Sequence, residues 1–137
     1  MSNSGKIHIA AAVLTRFDGA TLLVRKRGTS AFMQPGGKID THEEPVQALC
    51  RELGEELGLT VLPSDAEYVG RFTAPAANEV DHTVIADTFR VETNIAFKPG
   101  AEIEETCWVH PSTPIDLELA PLTRDHILPL VSSWKRP

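Results

Sequence analysis

The chain is short of cysteine, of long apolar runs and of positive charge, and each shortage removes a class of protein. Two cysteines, Cys50 and Cys107, cannot build a disulfide framework, and they form no CxxC pair. A reducing compartment is the simpler expectation. No stretch approaches the ~20 apolar residues of a membrane span. The run from Ile7 to Leu14 contains His8, has only Lys6 as a charge ahead of it, and is short for a signal-peptide core. A soluble, cytoplasmic protein without a membrane partner is therefore expected. Thirteen Lys and Arg against 19 Asp and Glu give a net charge of −6, so non-specific nucleic-acid binding is not expected either. Small anionic substrates stay open, because a basic pocket or a bound cation reverses the field locally. The five histidines are scattered, with no HExxH pair, and no GxSxG elbow occurs. Without repeats, linkers or low-complexity tracts, the 137 residues read as a single domain, residues 1–137.

What is present alternates between short apolar strands and one amphipathic helix. Ile7 to Phe17 reads as a strand, Asp18-Gly19 as a turn, and Leu22 to Val24 as the second arm of a hairpin. Arg25-Lys26-Arg27 lies at its far end, and Pro35-Gly36-Gly37 is the strongest backbone punctuation in the chain. Asp40 and Thr41 are alternative helix N-caps, each with a glutamate three residues on, Glu43 or Glu44. The helix is expected to run to about Leu57 and to stop at Gly58. Further strands are expected over Thr60 to Leu62, Glu67 to Phe72, Thr83 to Glu92 and Glu105 to His110, with a loop over Ala74 to Asp81. A terminal helix from Leu122 to Trp134 contains Pro129, which should kink or shorten it. This order is not the strict alternation of a doubly wound sheet, and an α/β mixed sheet between helices fits better.

At ~100° per residue, Val46, Leu49, Cys50, Leu53 and Leu57 form the apolar stripe of the first helix. Glu52, Glu55 and Glu56 share the adjacent arc, with Ala48 one turn back. An acidic arc is usually a solvated face. Here the carboxylates repel at i, i+3 and i+4, and two of them occupy the last turn, the wrong end of the helix dipole for negative charge. A hard divalent cation in an all-oxygen site would neutralise such a cluster. Ala48 would not obstruct it, and a carbonyl from the Gly36-Gly37 turn would complete the coordination. Arg51 could hold one carboxylate through a bidentate pair. Cys50, on the apolar stripe, reads as packing.

The same segment resembles the Nudix family. Gly37, five residues, Glu43, seven residues, then Arg51-Glu52-Leu53-Gly54-Glu55-Glu56-Leu57-Gly58-Leu59 matches the pattern Gx5Ex7REUxEExGU at all nine defined positions over 23 residues. One departure lies between them: many members carry glycine just before the first glutamate, where this chain has His42. That puts the shape of the loop into the helix in question.

The resemblance implies an α/β/α sandwich and a Mg²⁺-dependent pyrophosphohydrolase, with Mn²⁺ as an alternative ion. It would cleave a nucleoside diphosphate linked to another group by water attack on phosphorus. Carried over by position, Glu52, Glu55 and Glu56 resemble the metal-binding glutamates and Gly36 the carbonyl ligand, while Glu43 looks structural. The expected catalytic set is Glu52, Glu55 and Arg51. Glu52 is the favoured base within the motif, and Glu102, Glu104 and Glu105 are the candidates outside it. Arg27 and Lys38 are the expected phosphate contacts, with Arg25 on Arg27's strand face and Arg71 a weaker candidate. Phe32, Phe72 and Trp108 are candidates for base stacking, though core packing is the commoner role of such side chains. The expected partner is a small nucleotide-like molecule, with a compact nucleoside triphosphate favoured. A homodimer is the commonest oligomer in general, though no residue pattern points to one. The competing reading is a nucleotide-binding or regulatory module of the same fold without turnover; a third is a protein-interaction domain using the acidic helix.

Overall fold

The computed structural model describes residues 5–94 and 96–134. Its centre is a six-stranded mixed sheet. The strands are β1 (Gly5–Thr15), β2 (Thr21–Lys26), β3 (Gly36–Lys38), β4 (Ala66–Pro75), β5 (His82–Glu92) and β6 (Ile103–Val109). The order across the sheet is β4-β5-β1-β2-β6, with β3 paired to β1 off this path. β1 and β5 are parallel along their whole length; the other pairings are antiparallel.

Alternation along the strands sorts two cores. Ala10, Ala12 and Leu14 of β1, with Leu22 and Val24 of β2, pack with Leu49, Leu53 and Leu57 of helix α1 (Pro45–Leu57). Ala11 and Val13 face the other way, against Leu122, Ile127 and Val131 of the C-terminal segment, which ends in helix α2 (Leu128–Ser133). The sheet is thus held between helices, as the α/β/α expectation required. Among the described residues no helix is long and apolar enough to cross a membrane.

β3 shapes the middle of the sheet. It pairs with Ile9, Ala10 and Ala11 of β1, whereas β2 meets β1 at Thr15 and Thr21. The β1–β2 hairpin therefore splays toward its open end, and β3 fills the gap from the α1 side of the chain. Gly36 is required there: its φ is +143°, and a Cβ would lie 2.1 Å from the Ala10 carbonyl oxygen.

Several boundaries differ from expectation. Gly36-Gly37 read as a turn, yet pairing to β1 makes Gly36–Lys38 a strand. β1 ends at Thr15 rather than Phe17, β6 starts at Ile103, and β4 runs on to Pro75, shortening the loop after it. Thr60 to Leu62 is not a strand, because no neighbour pairs with it, and a 3₁₀ turn follows at Pro63–Asp65. The helix starts later than either predicted cap: Glu44 is the N-cap, its N–H donating to the Gln47 side chain at 2.9 Å, and Pro45 is the first helical residue. The Asp40–Glu43 pair forms a separate turn before it, Asp40 N–H donating to Glu43 Oε1 at 2.9 Å. Gly58 closes α1 in the left-handed conformation, φ 65°. The expected terminal helix from Leu122 to Trp134 is not uniform: a π-helical turn at Thr123–Ile127 precedes the six-residue α2, which has Pro129 in its first turn.

His42, where the family pattern usually has glycine, adopts φ 70°. A side chain in this region costs ~1–2 kcal/mol, and glycine there carries an unfolded-state entropy penalty of roughly 0.5–1 kcal/mol. His42→Gly should therefore raise stability by about 0.5–1 kcal/mol in urea denaturation; a destabilised variant would contradict the strain.

Candidate active site

The functional side chains meet where the C-terminal half of α1 crosses β3. Glu56 is only 4% exposed. Its Oε1 accepts the Gly36 N–H at 3.1 Å, and its Oε2 lies 3.4 Å from Lys26 Nζ. Burial pushes the Glu56 carboxyl up to about 6, against the opposing pull of Lys26 and the Gly36 N–H. Glu52 lies directly on Gly37: a Cβ at that glycine would fall 2.5 Å from the Glu52 carboxylate. The two glycines thus have separate reasons, backbone angle at one and room for a carboxylate at the other.

Arg51 organises the remaining acids. Its Nε and Nη2 hold Glu43 in a bidentate pair at 2.9 and 3.0 Å. Nη1 donates to Glu52 Oε2 at 3.1 Å and to Glu55 Oε1 at 3.3 Å, and Nη2 also reaches the Lys38 carbonyl at 3.1 Å. One guanidinium therefore ties the loop before α1, strand β3 and two of the clustered glutamates together. Its carboxylate partners raise the Arg51 pKa further, so it stays charged. The Glu43 carboxyl is held down to about 2, first by Arg51 and then by the Asp40 N–H.

The C-terminal carbonyls of α1, at the negative end of its dipole, are satisfied by the loop before β6. Gly100 N–H donates to Glu56 O at 2.7 Å and Lys98 N–H to Leu57 O at 2.9 Å. Ala48, in the first half of α1, is fully buried in the core. Its small size serves packing of the helix on the sheet. Cys50 is half-buried, its thiol pushed up by burial.

The structure brings Gly36, Arg51, Glu52, Glu55 and Glu56 together, with Lys38 exposed at the edge of β3. Other candidates are engaged elsewhere. Arg27 donates to the Ala101 carbonyl at 3.1 Å and pairs with Glu104 at 3.5 Å. Arg25 pairs with Glu105 at 2.7 Å, and Arg71 holds the buried Asp87. Glu102 is exposed, its carbonyl accepting the Arg27 N–H. Phe32 is core, Phe72 packs near His126, and Trp108 lies under the Arg16 guanidinium. Lys26 was not singled out from the sequence, although it contacts Glu56. Its signal was the period of two: it shares the phase of Leu22 and Val24, which face α1, while Arg25 and Arg27 take the other phase.

The donor set is chemically suited to a hard cation, being all oxygen and net negative. It is not a finished cage: among the described residues no three His, Cys, Asp or Glu side chains converge as a ready metal site.

On the far side of the splayed hairpin lies a cavity of about 160 Å³. Its floor is Ile7, Ile9, Ala11 and Val84, and it reaches Gly36, Gly37 and Lys26. Lys26 both lines this cavity and contacts Glu56, so cavity and acidic cluster adjoin.

An acidic helix end seated on a glycine strand, inside an α/β/α sandwich, is shared with a known class of hydrolases, and the comparisons identify it. The NUDIX domain family model matches residues 6–131. The chain belongs to the Nudix family of pyrophosphohydrolases, enzymes acting on phosphorus-containing anhydrides. It is 34% identical over 108 residues to an 8-oxo-dGTP diphosphatase of Haemophilus influenzae, covering 75% of each chain. An RNA pyrophosphohydrolase of Cellvibrio japonicus is 46% identical, but over only 58 residues, 42% of this chain and 33% of that one. Among solved structures, a MutT protein from Methanosarcina mazei superposes with a TM-score of 0.77 at 21% identity over 96% of both chains, a likeness of fold.

The Arg51–Glu43 pair should mark the acid limb of stability. Glu43's folded pKa lies below its ordinary value of 4.5, so its contribution is complete above about 4.5 and is lost as pH falls toward about 2. The stability difference between wild type and Glu43→Gln, from urea melts at a series of pH values, should be constant near neutrality and shrink across that window. A difference independent of pH would contradict the pairing.

Proposed function

We propose that the protein hydrolyses a nucleoside diphosphate linked to a further group, most readily a nucleoside triphosphate, by water attack on phosphorus. The observation that carries this is the seating of Glu52 and Glu56 on Gly37 and Gly36, with Glu55 drawn in by Arg51.

Glu52, Glu55, Glu56 and the Gly36 carbonyl would hold a divalent ion, Mg²⁺ by expectation with Mn²⁺ as the alternative. Bound there, it supplies a Lewis acid that offsets diphosphate charge and makes water a better nucleophile. Glu52 is assigned the role of base, taking the proton of the attacking water; its carboxylate is held in place by the Arg51 guanidinium at 3.1 Å. Arg51 acts as a positioning residue, since its donors are spent on protein partners. Lys38 and Lys26 are the better phosphate contacts, because Arg27 is turned toward Ala101 and Glu104. The 8-oxo-dGTP diphosphatase likeness supports a nucleotide substrate. The RNA pyrophosphohydrolase likeness is confined to about a third of those proteins and carries less.

A binding module without turnover would gain nothing from three crowded acids at the wrong end of a helix dipole. Glu55→Gln and Glu56→Gln should each lower kcat by about 100-fold or more, the scale for removing one group that stabilises developing charge, with folding retained. Phosphate and pyrophosphate release from a nucleotide panel with Mg²⁺, Mn²⁺ or chelator measures this. Wild-type rates in both variants would overturn the assigned site, and ligand binding without any release would favour the module.

A further inference from the structure

Glu55 and Glu56 stand in the last turn of α1, and helix ends fray. Two N–H groups from the segment before β6 hold that turn from outside. Gly100 N–H donates to the Glu56 carbonyl at 2.7 Å and Lys98 N–H to the Leu57 carbonyl at 2.9 Å. They place partial positive charge at the negative end of the helix dipole, on the turn that carries the acids. Gly58 already closes the helix, its own N–H donating to the Gly54 carbonyl at 3.0 Å. The contacts from Gly100 and Lys98 are additional, and they tie the turn to another element.

That element is β2. Arg27, the residue after it, donates its backbone N–H to the Glu102 carbonyl at 2.8 Å and its Nε to the Ala101 carbonyl at 3.1 Å. Its neighbour Lys26 lies 3.4 Å from Glu56. Residues 98–102 thus grip the last turn of α1 on one side and the end of β2 on the other. Phe97 and Ile103, flanking this segment, pack into the core under α1 and pin it. Gly100 is the point of closest approach. A Cβ there would lie 2.5 Å from the Glu55 carbonyl oxygen, where ordinary contact begins at 3.4 Å. Gly100 is not in the left-handed region, so room, not backbone angle, is its reason.

Resting on the metal-binding role given above to Glu55 and Glu56, we propose that Gly100 is a positioning residue. It lets residues 98–102 clamp the last turn of α1 to the end of β2, and so sets the carboxylate geometry that a divalent ion meets. Metal–ligand distances tolerate displacements of only about 0.2 Å. A Cβ at position 100 requires a larger shift than that, and the pinned segment passes it to the helix turn.

Three variants test this: Gly100→Ala, Arg27→Met and, as a control, Val131→Ala in the opposite core. Mn²⁺ affinity is measured with the metal alone, by the paramagnetic resonance of free ion, beside Tm, kcat and KM. Gly100→Ala should weaken Mn²⁺ binding and lower kcat by about 10-fold each, the lower end of what losing a group that orients a metal ligand costs. KM for the nucleotide should hardly move. Arg27→Met should act in the same direction, by about 3-fold, with a Tm near wild type, because that side chain is exposed. Val131→Ala should lower Tm and leave Mn²⁺ affinity unchanged, which separates positioning from lost stability. In metal-free wild type, the Gly100 and Lys98 amides should exchange with solvent as slowly as those inside α1. Wild-type Mn²⁺ affinity in folded Gly100→Ala, an equal loss in Val131→Ala, a change in KM alone in Arg27→Met, or fast exchange of both amides would overturn the clamp and leave hydrolysis intact. No Mn²⁺ binding and no hydrolysis by wild type would overturn the proposed function, and this inference with it.

Discussion

Four carboxylates and two cations from α1, the loop before it and strand β2 are drawn together beside one helix, and the rest of the molecule is arranged around that confinement. Glu52, Glu55 and Glu56 repel one another and face the negative end of the α1 dipole. Arg51 gathers Glu43, Glu52 and Glu55, while Lys26 and the Gly36 N–H restrain Glu56. Acids outnumber the cations, so the cluster stays net negative. It persists because Leu49, Leu53 and Leu57 anchor the same helix to the sheet, and because the loop before β6 takes up the last carbonyls of α1. Burial of apolar surface at ~25 cal/mol/Å² carries the helix; the acids are carried by it.

The sheet contributes an irregularity that the acids need. Had β2 paired with β1 along its whole length, no edge would remain for β3, and Gly36 and Gly37 could not pass beneath α1. The splay of the hairpin admits β3 at that point. Glu56 on one side and the cavity on the other are thereby linked through Lys26. A uniform sheet would have separated the two.

The chemistry was legible in the sequence because it is local. Nine positions in 23 residues fix the motif, and helical geometry alone places three of its glutamates on one arc. The mixed sheet between helices was legible for a related reason: alternation and turn residues mark most strands without knowledge of their partners. What stayed hidden depends on pairing. Gly36–Lys38 has two glycines and poor strand propensity, and becomes a strand only because β1 has a free edge. Thr60 and Val61 have the propensity and lack the neighbour. The start of α1 was misplaced because two overlapping capping patterns occur before Pro45, and the first of them closes a turn instead. Lys26 was masked by the arginines on either side.

The cavity wall is assembled from parts of the chain far from the glutamate motif, and the C-terminal segment supplies one of them. A π-helical turn over Thr123–Ile127 precedes α2, whose first turn contains Pro129. Thr123, the first residue of that turn, is fully buried. The Thr123 hydroxyl donates to Gln34 Oε1 at 2.8 Å, 89 positions away in sequence. The C-terminal segment is thus tied, through one hydroxyl, to the residue just before Pro35-Gly36-Gly37. The glutamate motif is silent about this connection because none of its members touches it. The cavity wall can therefore vary while the motif is kept in full.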